Sequence, residues 1–208
     1  YINVGREWDI DIFVQGSYVH SLSRRHQLKF NLKYAHEYLR YNTDYPENQN
    51  TARADNHYYQ NDAYASASYA WFPVDWLSVN LGYDARMSWL DADLKRFTTV
   101  RRLDQKGVVA AQMNLAGFRA AASLLYQHYK DHTRSGIGAA KALSKFTPAI
   151  SVGYSWRDFS ARAWYKCIFR APTLNDLYYT QVGNRNLKPE YTKQWNVGLG
   201  YRRMMRRW

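Results

Sequence analysis

The sequence contains a single cysteine, Cys167, so very little sulfur chemistry is open to the chain. A lone cysteine cannot form an intrachain disulfide, and no CxxC pair or Cys/His group supplies the ligands of a structural zinc site. A disulfide framework and a thiolate metal centre are therefore excluded within these residues. We expect Cys167 to fill a small apolar position.

Long apolar runs are missing as well. Mean hydropathy is -0.63, and no stretch approaches the roughly 18 consecutive apolar residues of a spanning helix. A membrane-spanning strand needs only about 9–11 residues, with every second one facing lipid, so spanning strands stay open. The first residues, Tyr1 to Arg6, also lack the basic and apolar regions of a signal peptide. We expect any targeting segment to lie outside this sequence.

Aromatic residues and positive charge are in excess. Aromatics make up 17% of the residues, and many end an alternating run, where the interfacial girdles of a membrane barrel would place them. The net charge of +12 suits nucleic acid, anionic lipid or an anionic ligand. The basic groups of the predicted loops are scattered, which argues against nucleic acid, and we expect them to face outward: Arg53, Lys95, Arg96, Arg101, Arg102, Arg134, Lys141, Arg185 and Lys188.

Apolar and polar residues alternate along most of the chain, and a period of two indicates β-strands. In the first run Trp8, Ile10 and Ile12 are apolar, while Asp9 and Asp11 stand between them. The pattern predicts nine strands, at about 8–19, 28–38, 58–72, 77–89, 109–115, 118–130, 146–156, 159–169 and 191–201.

The connections between these strands alternate in length. We expect short turns near 21–25, 73–75, 117 and 157–158, and long loops at 41–57, 91–104, 131–144 and 169–190. Outer-membrane barrels have this rhythm, with short periplasmic turns, long extracellular loops, apolar side chains outward and polar ones inward. The predicted fold class is therefore all-β, an antiparallel transmembrane β-barrel segment. A soluble two-sheet sandwich with one solvated face is the alternative.

The predicted strand count is odd. An odd count places the two ends of the sheet on opposite rims, whereas complete single-chain bacterial barrels have even counts. We therefore expect this sequence to be part of a larger barrel.

Three ordered segments carry a further signal. Residues 169–190, which we call the signature segment, read FRAPTLNDLYYTQVGNRNLKPE; residues 71–77 read WFPVDWL and lead to LGYD at 81–84; residues 146–150 read FTPAI. Together these segments resemble the TonB-dependent receptors of the Gram-negative outer membrane. The resemblance implies that residues 1–208 are a partial receptor β-barrel domain, from the middle and later part of a 22-stranded barrel. Neither the plug domain of such receptors nor the short box that contacts TonB is recognisable in the sequence.

The resemblance also implies a function and partners. Such a receptor takes up a scarce ligand actively, here a ferric siderophore, cobalamin, haem or a glycan, and lies in the outer membrane among lipid and lipopolysaccharide. The TonB complex would act through a plug domain that this sequence does not contain. A small anionic or metal-chelate ligand fits the basic loops, and nucleic acid is not an expected partner. A passive porin, an adhesin or a surface enzyme on a smaller barrel is the alternative.

The signature segment supplies most of the candidate site residues. We expect it to act mainly as a rigid connector, stiffened by its prolines, with a positive-φ turn at Gly183 and Asn184 and with Arg170 facing the lumen. Tyr178 and Tyr179 are its candidate ligand contacts. The signature residues are Phe169, Arg170, Ala171, Pro172, Leu177, Tyr178, Tyr179, Gly183, Asn184, Leu187, Lys188, Pro189 and Glu190.

Histidines supply the remaining candidates. His57, His128 and His132 lie in or beside predicted loops, where an exposed imidazole can ligate haem or a metal. Dispersed loop histidines are usually plain solvated residues, so we expect no cofactor and no metal. His57 is kept as a candidate ligand contact. No catalytic residue is predicted, because the carboxylates form no paired constellation with a base.

Overall fold

A computed structural model describes residues 4–44, 54–93, 97–134, 138–178 and 183–202. Within these ranges the chain forms one antiparallel sheet of nine strands, each hydrogen-bonded to its neighbour in sequence. This confirms the all-β prediction and the strand count. The strands are β1 (Val4–Ser23), β2 (His26–Asp44), β3 (Ala54–Val74), β4 (Leu77–Ala92), β5 (Val100–Leu115), β6 (Phe118–Thr133), β7 (Leu143–Trp156), β8 (Phe159–Arg170) and β9 (Glu190–Tyr201), and one helix, α1 (Leu174–Tyr178), lies between β8 and β9.

Several strands are longer than the alternation predicts, reaching 21 residues in β3. The predicted loops at 41–57, 91–104 and 131–144 are wrong at their ends, because residues 41–44, 54–57, 91–92, 100–104, 131–133 and 143–144 belong to strands. These ends carry Asn, Asp and Arg, which resemble loop composition. Backbone pairs such as Arg102 with Asp131 nevertheless continue the ladder. A strand whose inward face is hydrated accepts charged side chains, so polarity does not mark where it stops.

Four short turns lie along one edge of the sheet, which we call the turn rim (residues 24–25, 75–76, 116–117 and 157–158). The turn predicted at Gly117 is confirmed: its φ is 82°, and a Cβ there would lie 2.4 Å from the carbonyl oxygen of Ser155. Pro73 was expected in a turn but lies near the end of β3, beside a break in the pairing register. Proline is tolerated at such an irregularity because it cannot donate to the ladder.

The long connections lie along the opposite edge, which we call the loop rim. The first strand starts at the loop rim, where Val4 pairs with Asp44, and the last strand ends at the turn rim, where Tyr201 pairs with Phe159. The described sheet therefore starts and ends on opposite rims, as the odd strand count predicts. No helix among the described residues is long and apolar enough to cross a membrane.

One face of the sheet, the outward face, is mostly apolar on all nine strands, with polar residues such as Asn61 and Gln105 toward the loop rim. Apolar residues of this face stand opposite one another on neighbouring strands, as Phe30 does with Ala67 and Leu81 does with Val109. Leu199 on this face is 86% exposed, and within the described part of the chain no second sheet covers it. A continuous apolar face of this extent is not stable in water, which favours a lipid-facing wall over a soluble sandwich.

Aromatic side chains form two belts on the outward face. Members of the two belts stand about ten residues apart on a strand, which at about 3.3 Å per residue and a tilt near 45° gives a height of roughly 23 Å. The apolar band of an outer-membrane barrel is about as tall. The pairs are Trp8 with Tyr18, Tyr59 with Tyr69, Phe146 with Trp156, and Tyr191 with Tyr201.

The opposite, inward face is polar, and it carries the buried apolar cluster of the described residues. Leu90 of β4 and Val100 of β5 are 1% and 0% exposed, and both lie near the loop rim. They are covered by residues of α1, with Phe97 and Ala140 packed at the margin of the cluster. The core of the described structure therefore lies where the signature segment meets the inward face.

Candidate functional site

The signature segment folds back over the inward face after β8 ends at Arg170. Its first turn is fixed by a capping box: the hydroxyl of Thr173 accepts from the backbone N–H of Asp176 at 3.2 Å, and the carboxylate of Asp176 accepts from the N–H of Thr173 at 2.9 Å. Donation from the hydroxyl and from the backbone N–H of Thr173 to the carboxylate lowers the pKa of Asp176. The box starts α1 at Leu174 and sets the direction in which the helix approaches the sheet.

Apolar burial holds the helix in place. Leu174 and Leu177 are 6% and 3% exposed and pack on Leu90 and Val100. Burying side chains of this size contributes about 1.5–3 kcal/mol each. Five residues are too short for a stable isolated helix, so α1 depends on this contact with the wall.

A buried ion pair supplies the polar half of the contact. Arg102 of β5 donates from Nε to Oδ1 of Asp131 at 2.6 Å and from Nη2 to Oδ2 at 2.7 Å. The two residues are neighbours across the β5–β6 ladder. The remaining Nη1 of Arg102 donates to the carbonyl oxygen of Pro172 at 2.6 Å. One guanidinium therefore joins two wall strands to the start of the signature segment.

Tyr178 closes the network from the other end of α1. Its hydroxyl donates to Oδ2 of Asp131 at 2.9 Å and accepts from the backbone N–H of Ala140 at 2.8 Å. Burial is the main reason that the pKa of Tyr178 is raised to about 12, and the nearby negative charge of Asp131 adds to the shift. The phenol is therefore neutral at physiological pH and is available as a donor to the carboxylate.

These contacts define the role of Tyr178 in the described structure. The residue is 7% exposed, and its hydroxyl is used on both sides. It therefore anchors the signature segment to the wall. A ligand contact at Tyr178 stays a prediction that this geometry does not support, and Tyr179 lies outside the described residues.

The second half of the segment returns to the sheet through a turn at residues 185–186. The positive-φ turn expected at Gly183 and Asn184 stays a prediction, because the φ of Gly183 depends on a residue outside the described ranges. In the described part of the turn the side-chain oxygen of Asn184 accepts from the N–H of Asn186 at 2.9 Å, and the N–H of Asn184 donates to the carbonyl oxygen of Asp176 at 2.8 Å. The contact from Asn184 to Asn186 is an Asx turn, which shapes the return of the segment to the sheet.

The other signature residues surround this frame. Arg170 faces inward as predicted, and its Nη1 lies 3.9 Å from the carboxylate of Glu190, its partner across β8 and β9. The ring of Phe169 lies 6.2 Å from that of Tyr129. Other members line a shallow cavity of about 310 Å³ beside the segment: Arg170, Ala171, Pro172, Leu187, Lys188 and Glu190.

His57 lies away from this site, in β3 on the outward side of the loop rim. Its ring stacks on Tyr38 at 6.1 Å, its Nδ1 is hydrogen-bonded to Asp93, and its Nε2 lies 3.5 Å from Asp55. Hydrogen bonds from His57 lower the pKa of the Asp93 carboxyl. Both ring nitrogens thus face carboxylates of the protein, and a ligand contact at His57 stays a prediction.

The remaining candidates do not gather into a chemical site. His128 and His132 lie in β6, where His128 Nδ1 is 2.8 Å from the hydroxyl of Ser144. No group of three or more His, Cys, Asp or Glu side chains in the described ranges is arranged to hold a metal ion. Arg102 was expected in a loop that faces the outside of the cell, but it is buried in β5. Arg53, Lys95 and Arg96 lie outside the described residues.

The pattern at Thr173 is one signal that the sequence interpretation missed. The letters TLND match a capping box, which predicts a helix start after Thr173. Arg102 and Asp131 had no comparable signal, because they are 29 positions apart in the chain and each stands among other charged residues.

Comparison with known proteins gives two findings. A family model described as "TonB dependent receptor-like, beta-barrel" matches residues 3–208. Among solved structures, the crystal structure of BauA, the ferric preacinetobactin receptor from Acinetobacter baumannii, is similar, with a TM-score of 0.58 and 12% sequence identity. The similarity covers 94% of this chain and 35% of that chain, so the chain spans about a third of the matched receptor structure. No curated protein matches the sequence.

Proposed function

This chain belongs to the TonB-dependent receptor family, and we propose that it forms part of the barrel wall of a receptor that actively imports a scarce ligand. The family match over residues 3–208 carries the proposal. Members of the family are outer-membrane transporters and not enzymes. The physical role of this chain is therefore to line a path and to hold binding elements at its outer end.

The two-faced sheet supports a wall function. The apolar outward face with its two aromatic belts suits lipid, and the inward face carries charged groups such as Arg86, Asp104 and Lys106 that suit a hydrated lumen or a plug. In this orientation the turn rim faces the periplasm and the loop rim faces outside. The signature segment then lies at the outer end of the lumen.

We propose that residues 1–208 are a partial barrel domain without a plug. Among the described residues β1 and β9 each pair on one side only, and a closed barrel needs partners for both edges. Further strands and a plug that TonB can act on would complete the receptor. Lipid and lipopolysaccharide would surround the outward face.

The ligand belongs to the classes that such receptors import: a ferric siderophore, cobalamin, haem or a glycan. We place ferric siderophores first among the ligands to test, because BauA is named a ferric preacinetobactin receptor. At 12% identity that similarity shows the fold alone. The signature segment acts in this proposal as a docked connector that shapes the outer end of the path, with Leu177 and Tyr178 as its anchors.

Uptake by the receptor that contains this chain tests the proposal. The receptor is expressed in a Gram-negative strain that lacks its own high-affinity receptors, and accumulation of labelled ferric siderophores, cobalamin, haem and maltodextrins is measured with and without functional TonB. We expect accumulation of one ligand class that disappears without TonB. Equal uptake in both strains would instead indicate a passive pore and would contradict active transport.

A further inference from the structure

An open apolar groove crosses the outward face of the sheet from β1 to β5. Its volume is about 670 Å³, which is within the range of small-molecule sites. It begins at Val14 and Gly16, which lie between the two aromatic belts on β1, and it ends at Leu103 of β5. Five neighbouring strands, spaced about 4.8 Å apart, give the groove a length of roughly 19 Å. A long, narrow groove of this kind fits an extended hydrocarbon chain.

Short side chains leave room for such a chain in the middle of the groove. Ala63 of β3 stands between Tyr34 of β2 and Met87 of β4. In the next row of the outward face Ala65 pairs with Ala85. All five residues line the groove. Its outward surface is therefore hydrocarbon with one aromatic ring.

The charged residues that border the groove direct their side chains away from it. The ammonium of Lys33 lies over the ring of Phe13, 4.7 Å from the ring centre, and Arg86 Nη2 lies 3.6 Å from the carboxylate of Asp104. Both contacts are on the inward face, as the alternation along the strands requires. A polar occupant would find no charged partner along the groove, whereas a fatty acyl chain needs none.

Exposed basic side chains lie at the β5 end of the groove, and we call Arg101, Lys130 and His132 the basic group. Leu103, which ends the groove, pairs with Lys130, and Arg101 pairs with His132. All three basic residues therefore share the outward face with Leu103. Arg101 and Lys130 are diagonal neighbours, with Cβ atoms about 7–8 Å apart or somewhat less. Side chains of this length can both reach one anion between them.

The charge of the basic group is not balanced by the described part of the protein. None of its members forms an ion pair with a described carboxylate. Asp91 of the neighbouring β4 accepts instead from the hydroxyl of Thr99 at 3.1 Å and from the N–H of Ala92 at 3.0 Å. Like charges on adjacent positions of a sheet repel each other. An anion that accepts hydrogen bonds from two of them would relieve the repulsion.

The basic group lies at the height of the lipid headgroups. Trp89 stands directly opposite Arg101 on the outward face, and tryptophan is enriched where a membrane meets water. The groove runs from this level into the apolar band. Cations at the headgroup level and a hydrocarbon groove that meets them at Leu103 are together complementary to an anionic lipid.

We infer that the groove and the basic group bind one lipopolysaccharide molecule, with a phosphate of its lipid A on Arg101 and Lys130 and an acyl chain in the groove. A phosphomonoester carries a charge of about −1.5 to −2, which matches two cations. Phosphatidylethanolamine fits less well, because the basic group would repel its ammonium. The inference goes beyond the proposed uptake function and rests on the proposed orientation, in which the loop rim faces outside.

Native mass spectrometry of the receptor that contains this chain, purified in detergent, tests the inference without transport. The protein is titrated with lipid A, with lipid A from which both phosphates have been removed, and with phosphatidylethanolamine. We expect lipid A to bind at least about tenfold more tightly than either comparison lipid, as for one or more hydrogen bonds between charged groups.

Charge variants test the headgroup contact. K130Q and R101Q should each bind lipid A about tenfold more weakly, because each removes a hydrogen bond between charged groups. Arg6 provides the matched control, since it is exposed, shares the outward face with Trp8 near the loop rim and lies on β1, away from the basic group. R6Q should bind lipid A within about twofold of the unchanged protein.

A second pair of variants tests the acyl contact. A85L fills the middle of the groove and should weaken lipid A binding several-fold, because the chain loses its contact with the wall. Ala163 is exposed on the outward face of β8 and does not line the groove. A163L adds the same side chain there and should leave the affinity unchanged. Circular dichroism confirms that each variant is folded before it is titrated.

Four results would overturn the inference: no binding of lipid A, equal binding of either comparison lipid, unchanged affinity in both K130Q and R101Q, or an equal loss in R6Q. Unchanged affinity in A85L would overturn the groove as the seat of the acyl chain. Absence of TonB-dependent uptake with lipid A binding intact would contradict the proposed function and leave this site standing. Normal uptake without lipid A binding would do the reverse.

Discussion

The residues of the two faces of the sheet are stable for opposite physical reasons. On the outward face Ile150 and Leu199 are exposed and apolar, and the favourable environment for them is lipid. On the inward face Arg102 and Asp131 are charged and buried, and they are stable because each supplies the other's hydrogen bonds. A charge is therefore damaging on one face, and the loss of a charge is damaging on the other.

The difference between the faces also distinguishes the wall of the sheet from the site where the signature segment docks. The outward face repeats along every strand, so that no single residue defines it. The inward face is specialised at one place, where the signature segment docks on Leu90, Val100 and Arg102. This contrast leads to four predictions, described in order of expected effect.

Removing the buried guanidinium should have the largest effect. R102M leaves Asp131 buried without its cation and the carbonyl of Pro172 without a donor, which should cost about 3–5 kcal/mol. Urea unfolding in detergent measures the loss of stability, and protease sensitivity of residues 171–178 reports the loss of docking. R101M changes the preceding residue of β5, which is exposed, and should cost less than about 1 kcal/mol. Equal stability costs in R102M and R101M would contradict the special role of the buried guanidinium on the inward face.

Adding a charge should distinguish the faces directly. I150K puts an ammonium on the outward face between the two aromatic belts and should cost about 2–4 kcal/mol in a bilayer. S151K puts the same group on the inward face one residue later and should cost less than about 1 kcal/mol, because the lumen is hydrated. Folding into lipid vesicles across a urea series gives both values. A larger cost for S151K would mean that the faces have been assigned the wrong way round.

High pH should loosen the signature segment through Tyr178. The pKa of the docked residue is raised to about 12, against about 10 for a free tyrosine. A raised pKa means that the contribution to docking is complete below pH 10 and is lost as the pH rises from about 10 to 12, by about 2–3 kcal/mol.

Tyrosinate absorbance and urea unfolding at a series of pH values check this prediction. Y178F should remove this pH dependence and cost about 1 kcal/mol at neutral pH, because the hydroxyl loses its two hydrogen bonds. A Y178F variant that keeps the full dependence between pH 10 and 12 would show that another group is responsible.

The capping box should give the smallest of the four effects. T173A removes the hydroxyl that accepts from the N–H of Asp176, and the expected cost is about 1 kcal/mol. Faster hydrogen exchange at the amides of α1 would report it. T192A, at an exposed position of β9, serves as the control and should leave those amides unchanged.

The sequence was informative wherever the signal is local. Alternation with a period of two predicts the nine strands and the two faces, and Gly117 predicts its turn, because each depends on neighbouring residues. The predicted strand ends differ from the observed ones, because Arg102 and Asp104 have the composition of a charged loop. Hydrated inward positions accept the same residue types, so composition cannot separate the two.

The site was harder to predict than the fold. The signature segment was recognised by its letters, and its role as a connector was expected, but its docking surface was not. That surface depends on Arg102 and Asp131, which meet through the register of β5 and β6 and then bind the carbonyl of Pro172. Of the contacts that hold the segment, the box at Thr173 and Asp176 was readable from the sequence.

Hydrogen exchange in lipid bilayers tests the docking of the signature segment most directly. The N–H of Leu177 donates to the carbonyl of Thr173 at 3.3 Å inside the buried cluster. The docked structure predicts slow exchange at this amide and its neighbours in α1, and fast exchange in R102M with the strands still protected. Fast exchange in the unchanged protein, or equally slow exchange in both, would contradict docking through Arg102.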